Sequence, residues 1–258
     1  MTERHRPLTD LQVLIVRALR LSLRNIDGLI TALMLPPMLM FMFVYFFGGA
    51  IHTGGRYIDF VVPGVLLVCV GFGAGTTAVS VAHDLSGAIV DRLRSMNVRG
   101  ESLIAGHVVA SVARNLASAA LAIAFAFAIG YRSHADAAHW LAAIALLTLF
   151  VLAISWFAAA IGILVRSPEA AQGITFVVSF LPYPSSAFVP VSTMPSWLRP
   201  FAANQPVSQV VDAIRALLAG GSGAGGVGST AWHSIAWSAG ILVVSVGLAG
   251  TLFSRRAG

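Results

Sequence analysis

The chain has no lysine; all 16 of its basic residues are arginines. It has one cysteine, Cys69, and only 10% charged residues, where a soluble domain carries about 25%. Each shortage excludes a chemistry. Without lysine there is no Walker-type phosphate loop and no Schiff-base lysine. A lone cysteine makes neither an internal disulfide nor a cysteine-rich metal site. With 57% hydrophobic residues, the 258-residue chain lacks the polar surface to cover itself in water. What it has instead are long apolar runs.

A membrane helix needs about 20 mostly apolar residues. Six stretches come close to that, at 29–47, 60–82, 103–129, 137–165, 170–191 and 231–253. Five carry no charged residue, and the third contains Arg114. The expected fold is an all-α integral membrane protein with six transmembrane helices, one unit over 1–258. No stretch near the start reads as a cleavable signal. With the N-terminus inside, alternation of six spans puts 12 arginines on the cytoplasmic side and 4 outside, accounting for all 16. That bias places both termini in the cytoplasm of a cell (inner or plasma) membrane. The net charge of +6 then needs no nucleic-acid partner, because anionic lipids favour it.

Segments outside the spans have patterns of their own. Over 8–24, Arg17, Arg20 and Arg24 share one helical face and Leu14, Ala18 and Leu21 another, which suits an interfacial helix better than an ordinary charged leader that orients the first span. In the cytoplasmic loop 83–99, Leu85, Ile89 and Leu93 form an apolar stripe on a short helix. Asp84 falls at its start and Arg92 and Arg94 towards its end, matching the helix dipole. Pro182, Pro184 and Pro190 interrupt the fifth stretch. Met194-Pro195-Ser196-Trp197-Leu198 then begins a turn, with Trp197 suited to the interface. A further helix opens at Pro206 and ends near Gly220, too short to cross. The segment 192–220 therefore reads as re-entrant or lying on the outer face, followed by a Gly/Ser-rich linker.

The order of these segments, with their motifs, resembles the permease subunits of type-2 ATP-binding-cassette (ABC) exporters, in the branch of the daunorubicin-resistance permeases. Arg92-Leu93-Arg94-Ser95 with Val98-Arg99 resembles the second-loop signature, and Ser167-Pro168-Glu169-Ala170-Ala171-Gln172 the fourth-loop one. Phe188-Val189-Pro190, the turn at Met194, and Asn204-Gln205-Pro206-Val207-Ser208 resemble the outer segment. The chain departs at Asn97, where the family usually has proline, and at His107, where it usually has Arg or Lys. The second departure removes a permanent positive charge.

The resemblance implies an exporter half, not an enzyme. It carries no cofactor itself, while two copies of a separate ATP-binding subunit hold ATP and Mg. A second permease, the same chain or a sister chain, completes the path for an apolar or amphipathic small molecule such as a drug, polyketide or lipid. It implies contact with the ATPase through His83, Asp84, Leu85, Ile89, Asp91, Arg92, Arg94 and Asn97, with Arg166, Pro168 and Glu169 nearby. The outer re-entrant residues would be Pro182, Pro184, Pro190, Pro195, Trp197, Asn204 and Pro206.

Some features stay open on the sequence. Arg114, an intramembrane charge, fits a buried pairing, a cavity role or snorkelling to the inner interface. Gly71, Gly73 and Gly75 offer a close-approach surface, either a dimer seam or packing within one subunit. A membrane-embedded enzyme or haem-binding electron carrier would draw on His83, His107, His139 and His233, which fit interface positions better. A secondary transporter would normally carry a mid-span carboxylate, and none is placed there.

Overall fold

A computed structural model describes residues 16–18, 20, 21, 24, 26–86, 100–165, 167–221 and 226–257. Among these the secondary structure is entirely helical. The elements are α1 (Ile26–Phe41, continued by a π-type turn Met42–Phe47), α2 (Tyr57–Ser86), α3 (Gly100–Ala128) and α4 (Ala137–Leu164). They are followed by α5 (Pro168–Ser179), α6 (Arg199–Asn204), α7 (Pro206–Leu218) and α8 (Gly226–Ala257).

Four helices are long and apolar enough to cross a membrane: Tyr57–Ser86, Ser102–Ala128, Ala137–Leu164 and Thr230–Arg255. Ala32–Phe47 is a shorter apolar helix. Where six spans are expected, the first and fifth are thus not long straight helices. Pro36 and Pro37 sit inside α1. A proline at 36 cannot bond the carbonyl of Ala32 four residues back, and Ser118 Oγ of α3 donates to that carbonyl at 2.7 Å instead.

α2 is the hub, packing on α3, α4, α5, α7 and α1. Its most apolar window is 72% buried, against 17% for α8, which leaves α8 at the rim. Every residue from Val61 to Val70 is buried. α8 lies along α4 and α7, burying Ser234, Ser238, Ser245 and Ala249 while Trp232, Val243 and Val244 face outward.

The fifth stretch differs from the expected span. Its helix, α5, ends at Ser179 after 12 residues, and the chain turns through 180–190 before a single 3₁₀ turn, Val191–Thr193. Pro182 and Pro184 deny the helix its donors there. The segment still runs antiparallel along most of α2. Ala171 clusters with Ala78 and Ala82, Thr175 lies beside Gly75, Ser179 beside Gly71, and Ala187 beside Gly64. A Cβ on Gly64 would stand 2.4 Å from the Ala187 carbonyl oxygen, so the close approach requires glycine.

The start of α5 explains the Ser167-Pro168-Glu169 motif locally. Ser167 caps the helix by accepting from Ala170 N at 3.2 Å, Pro168 occupies the first turn, and Glu169 adds an acid near the positive dipole end. At α4, Asp136 caps by accepting from His139 N at 2.8 Å, and its side chain lies 2.7 Å from His139 Nδ1. These contacts, the backbone bond first, hold the Asp136 carboxyl below its ordinary value.

Candidate functional site

Three polar constellations stand out in this apolar bundle. The first is at the end of α2 that leads into the loop. No helix breaker occurs between Ala82 and Ser86, so α2 continues to Ser86, and His83, Asp84 and Leu85 form its last turn. Asp84 is therefore not at the start of a separate loop helix. An acid in a last turn is disfavoured by the dipole, and a guanidinium and an imidazole from two other elements offset it. Arg17 Nη1 donates to Asp84 Oδ2 at 3.3 Å, and His107 Nε2 of α3 lies 3.0 Å from the same oxygen. His83 Nδ1 is 3.8 Å from Oδ1 but is largely exposed. Leu85 packs beside Val81 and Ile104. Ile89, Asp91, Arg92, Arg94, Asn97 and Arg166 lie outside the described residues, as does most of 8–24.

The second constellation is midway along α2 and α3. Arg114 Nη2 donates to Thr77 Oγ1 at 3.0 Å and to the Gly73 carbonyl at 3.2 Å. Ser111 Oγ accepts from Thr77 Oγ1 at 2.7 Å and from Ser155 Oγ of α4 at 2.9 Å. Asn115 Nδ2 donates to the Ser111 carbonyl at 2.9 Å. Thr77, Ser111, Asn115 and Ser155 are buried. This network joins three helices, as polar groups in apolar surroundings must be satisfied internally. Gly73 makes room for it, since a Cβ there would meet Asn115 Oδ1 at 2.0 Å. Gly71 and Gly75 face Ser179 and Thr175 of α5. Gly73 is thus filled within this chain, while Gly71 and Gly75 stand in ordinary contact with α5.

Beside the network is a cavity of about 560 Å³ between α1, α2, α3 and α5. Arg114, Asn115, Gln172 and Thr175 contribute polar groups, and Leu35, Phe72 and Phe176 apolar walls. A concave site with apolar walls and a few convergent polar groups suits an amphipathic small molecule.

The third constellation ties the outer segment to α2. Arg215 Nε donates to the Phe60 carbonyl at 3.1 Å and Nη2 to the Ser186 carbonyl at 2.7 Å, and its guanidinium lies 3.8 Å from the Phe60 ring centre. Asp212 Oδ1 accepts from Arg215 Nη1 at 2.6 Å and from Ser186 Oγ at 2.8 Å. Tyr57 Oη donates to the Phe188 carbonyl at 3.0 Å, and Gln205 Nε2 to the Pro184 carbonyl at 2.6 Å. Pro206 opens α7, and Asn204 Nδ2 donates to the Pro200 carbonyl at 2.8 Å. Trp197 is exposed, Pro182 is buried, and Pro190 and Pro195 flank the 3₁₀ turn.

Comparison with known proteins accords with this architecture. The ABC-2 family transporter protein profile matches residues 52–255, most of the chain. A daunorubicin resistance ABC transporter permease protein, DrrB1 of Streptomyces coeruleorubidus, is 28% identical over 230 residues, 88% of this chain and 80% of that protein. A probable doxorubicin resistance ABC transporter permease protein, DrrC of Mycobacterium tuberculosis, is 25% identical over 193 residues, 75% of this chain and 68% of that protein. The chain is a multi-pass, type-2 ABC permease and belongs to the ABC-2 transporter family.

Proposed function

We propose that this chain is the membrane-spanning half of an ATP-driven exporter that moves an apolar or amphipathic small molecule out across the cell membrane. The observation that carries the reading is its similarity, over most of its length, to permeases named for anthracycline resistance. The cavity beside Arg114 supports it, with its apolar walls and convergent polar groups.

ATP and Mg bind two copies of a separate ATPase, and a second permease, the same chain or a sister, completes the path. Six crossings leave both termini in the cytoplasm. The first is α1 with its π-type turn, and the fifth is α5 with the turns that follow it. The ATPase docks on the loop 83–99 and near Glu169. ATP binding shifts the permease pair between inward- and outward-facing states only if the ATPase prefers one of them. Asp84, at the root of that loop, passes the shift to the leader and to α3.

The test is accumulation of daunorubicin in inverted membrane vesicles holding this chain and its copurified ATPase. ATP-dependent uptake that vanadate stops, and that is lost without this chain, is the expected result. Uptake unaffected by ATP would point to secondary transport and overturn the reading.

A further inference from the structure

Asp84 Oδ2 is approached by two nitrogen groups from two different elements. Arg17 of the leader reaches it at 3.3 Å and His107 of α3 at 3.0 Å. The side chains of Asp84 and His107 are each only 10% exposed, while Arg17 is 33% exposed. One carboxylate oxygen thus serves a permanent charge at the rim and a titratable one beneath it.

Among the described residues, the charged or titratable groups beside His107 come from α2 and the leader. α2 contributes Asp84 and His83, and the leader contributes Arg17. Among the described residues, the apolar cluster at Ile104 and Val108 of α3 draws Ala160 and Ile163 from α4 and Leu252 and Phe253 from α8, none of which titrates, and α8 carries the exposed Arg255 beyond them. His83 is 77% exposed, so water screens its pairing.

Histidine changes charge between about pH 5 and 8. A neutral imidazole donates one Nε2–H to Asp84 and leaves the carboxylate's charge for Arg17. A protonated imidazole neutralises that charge and repels the guanidinium beside it.

We propose that Arg17 and His107 are competing positioning residues on Asp84, so that protonation of His107 releases the leader from the root of the coupling loop. The sign is set by the like charges: a neutral imidazole leaves the leader held, and a protonated one frees it. The free carboxylate does not leave the bundle, because His107 keeps it tied to α3. The consequence for transport rests on the exporter reading; the exchange of partners does not.

The test uses the full chain in nanodiscs with Cys69→Ser, and with spin labels on cysteines replacing the exposed residues Leu21 and Ser86. The distance between them is measured at about pH 6 and about pH 8. We expect a narrow distribution at the higher pH and about fivefold more of the detached population at the lower, the effect of one like charge a few ångströms away. His107→Gln should stay narrow at both values and His107→Arg broad at both. An unmodified chain that does not respond to pH overturns the proposal. So does a pH response surviving in His107→Gln, which would assign the effect to His83. If His107→Arg fails to insert, those two comparisons still decide.

The role in coupling is read separately, as ATP consumed per daunorubicin accumulated in vesicles. A ratio about fivefold higher at the lower pH supports it; a flat ratio alongside a moving label distance overturns it. Absence of ATP-driven uptake from the unmodified chain at both pH values is failure of the exporter reading, and the label distances are unaffected by it.

Discussion

The two ends of α2 are built on opposite plans. At the outer end Arg215 spends its donors on Asp212, the Ser186 carbonyl and the Phe60 carbonyl, and its face on the Phe60 ring. Tyr57 and Gln205 add their own ties to the same turn. Loss of any one contact leaves others in place. At the inner end a single carboxylate oxygen serves Arg17 and His107. The outer end is over-determined, and the inner end has fewer ligands than claims on it. On the exporter reading proposed above, the Asp84 end would be the driven one, able to change partners while the Tyr57 end keeps its shape.

Substitutions can break that contrast. The largest effect is expected of Arg215→Ala. It leaves two carbonyls unpaired and Asp212 with only Ser186, and thermal unfolding in nanodiscs should show a loss of about 3 kcal/mol, the low end for breaking a buried pair because Asp212 is partly exposed and keeps one donor. Gly64→Ala comes next. Backbone meets backbone there, so the new methyl has no side chain to push aside, and a loss of about 1–3 kcal/mol by the same measurement is expected. Arg17→Ala should cost under about 1 kcal/mol, because the pair is one-third exposed on the arginine side. Its effect should appear instead as a broad leader distance at every pH. Equal losses from Arg215→Ala and Arg17→Ala would remove the contrast.

How much of this was legible in sequence followed from how far apart the partners stand along the chain. Apolar length gave the long helices because each is a local property. Pro182 and Pro184 foretold the end of α5 for the same reason, and Arg114 stood out as a charge in an apolar run. Asp84 was flagged, but its helical context was misread, because nothing between Ala82 and Ser86 stops α2. His107 stood out as a departure from the family and as one of four candidate histidines, and Arg17 only as part of an arginine face. Their meeting on one oxygen spans 90 residues of chain, from 17 to 107, and has no local signature. The hydroxyl network of Thr77, Ser111 and Ser155 was missed because serine and threonine are common in apolar helices; several on facing spans were the available signal. The Asp212–Arg215 spacing was visible on a helix, but its partners Ser186 and Phe60 were not.

The short fifth helix has a mechanical consequence. α5 keeps its hydroxyl bonds within itself, Thr175 and Ser179 donating to carbonyls one turn back, and packs along α2. The turns that follow, from 180 to 190, are held by side chains of α2, α7 and the connection before α7, and so belong mechanically to the outer end. On the exporter reading, a push at Ser167 would run along α5 as far as Phe180, where its helix ends. Beyond that point Tyr57, Gln205 and Arg215 hold the chain. The prolines at 182 and 184 would then decouple the two ends of the segment.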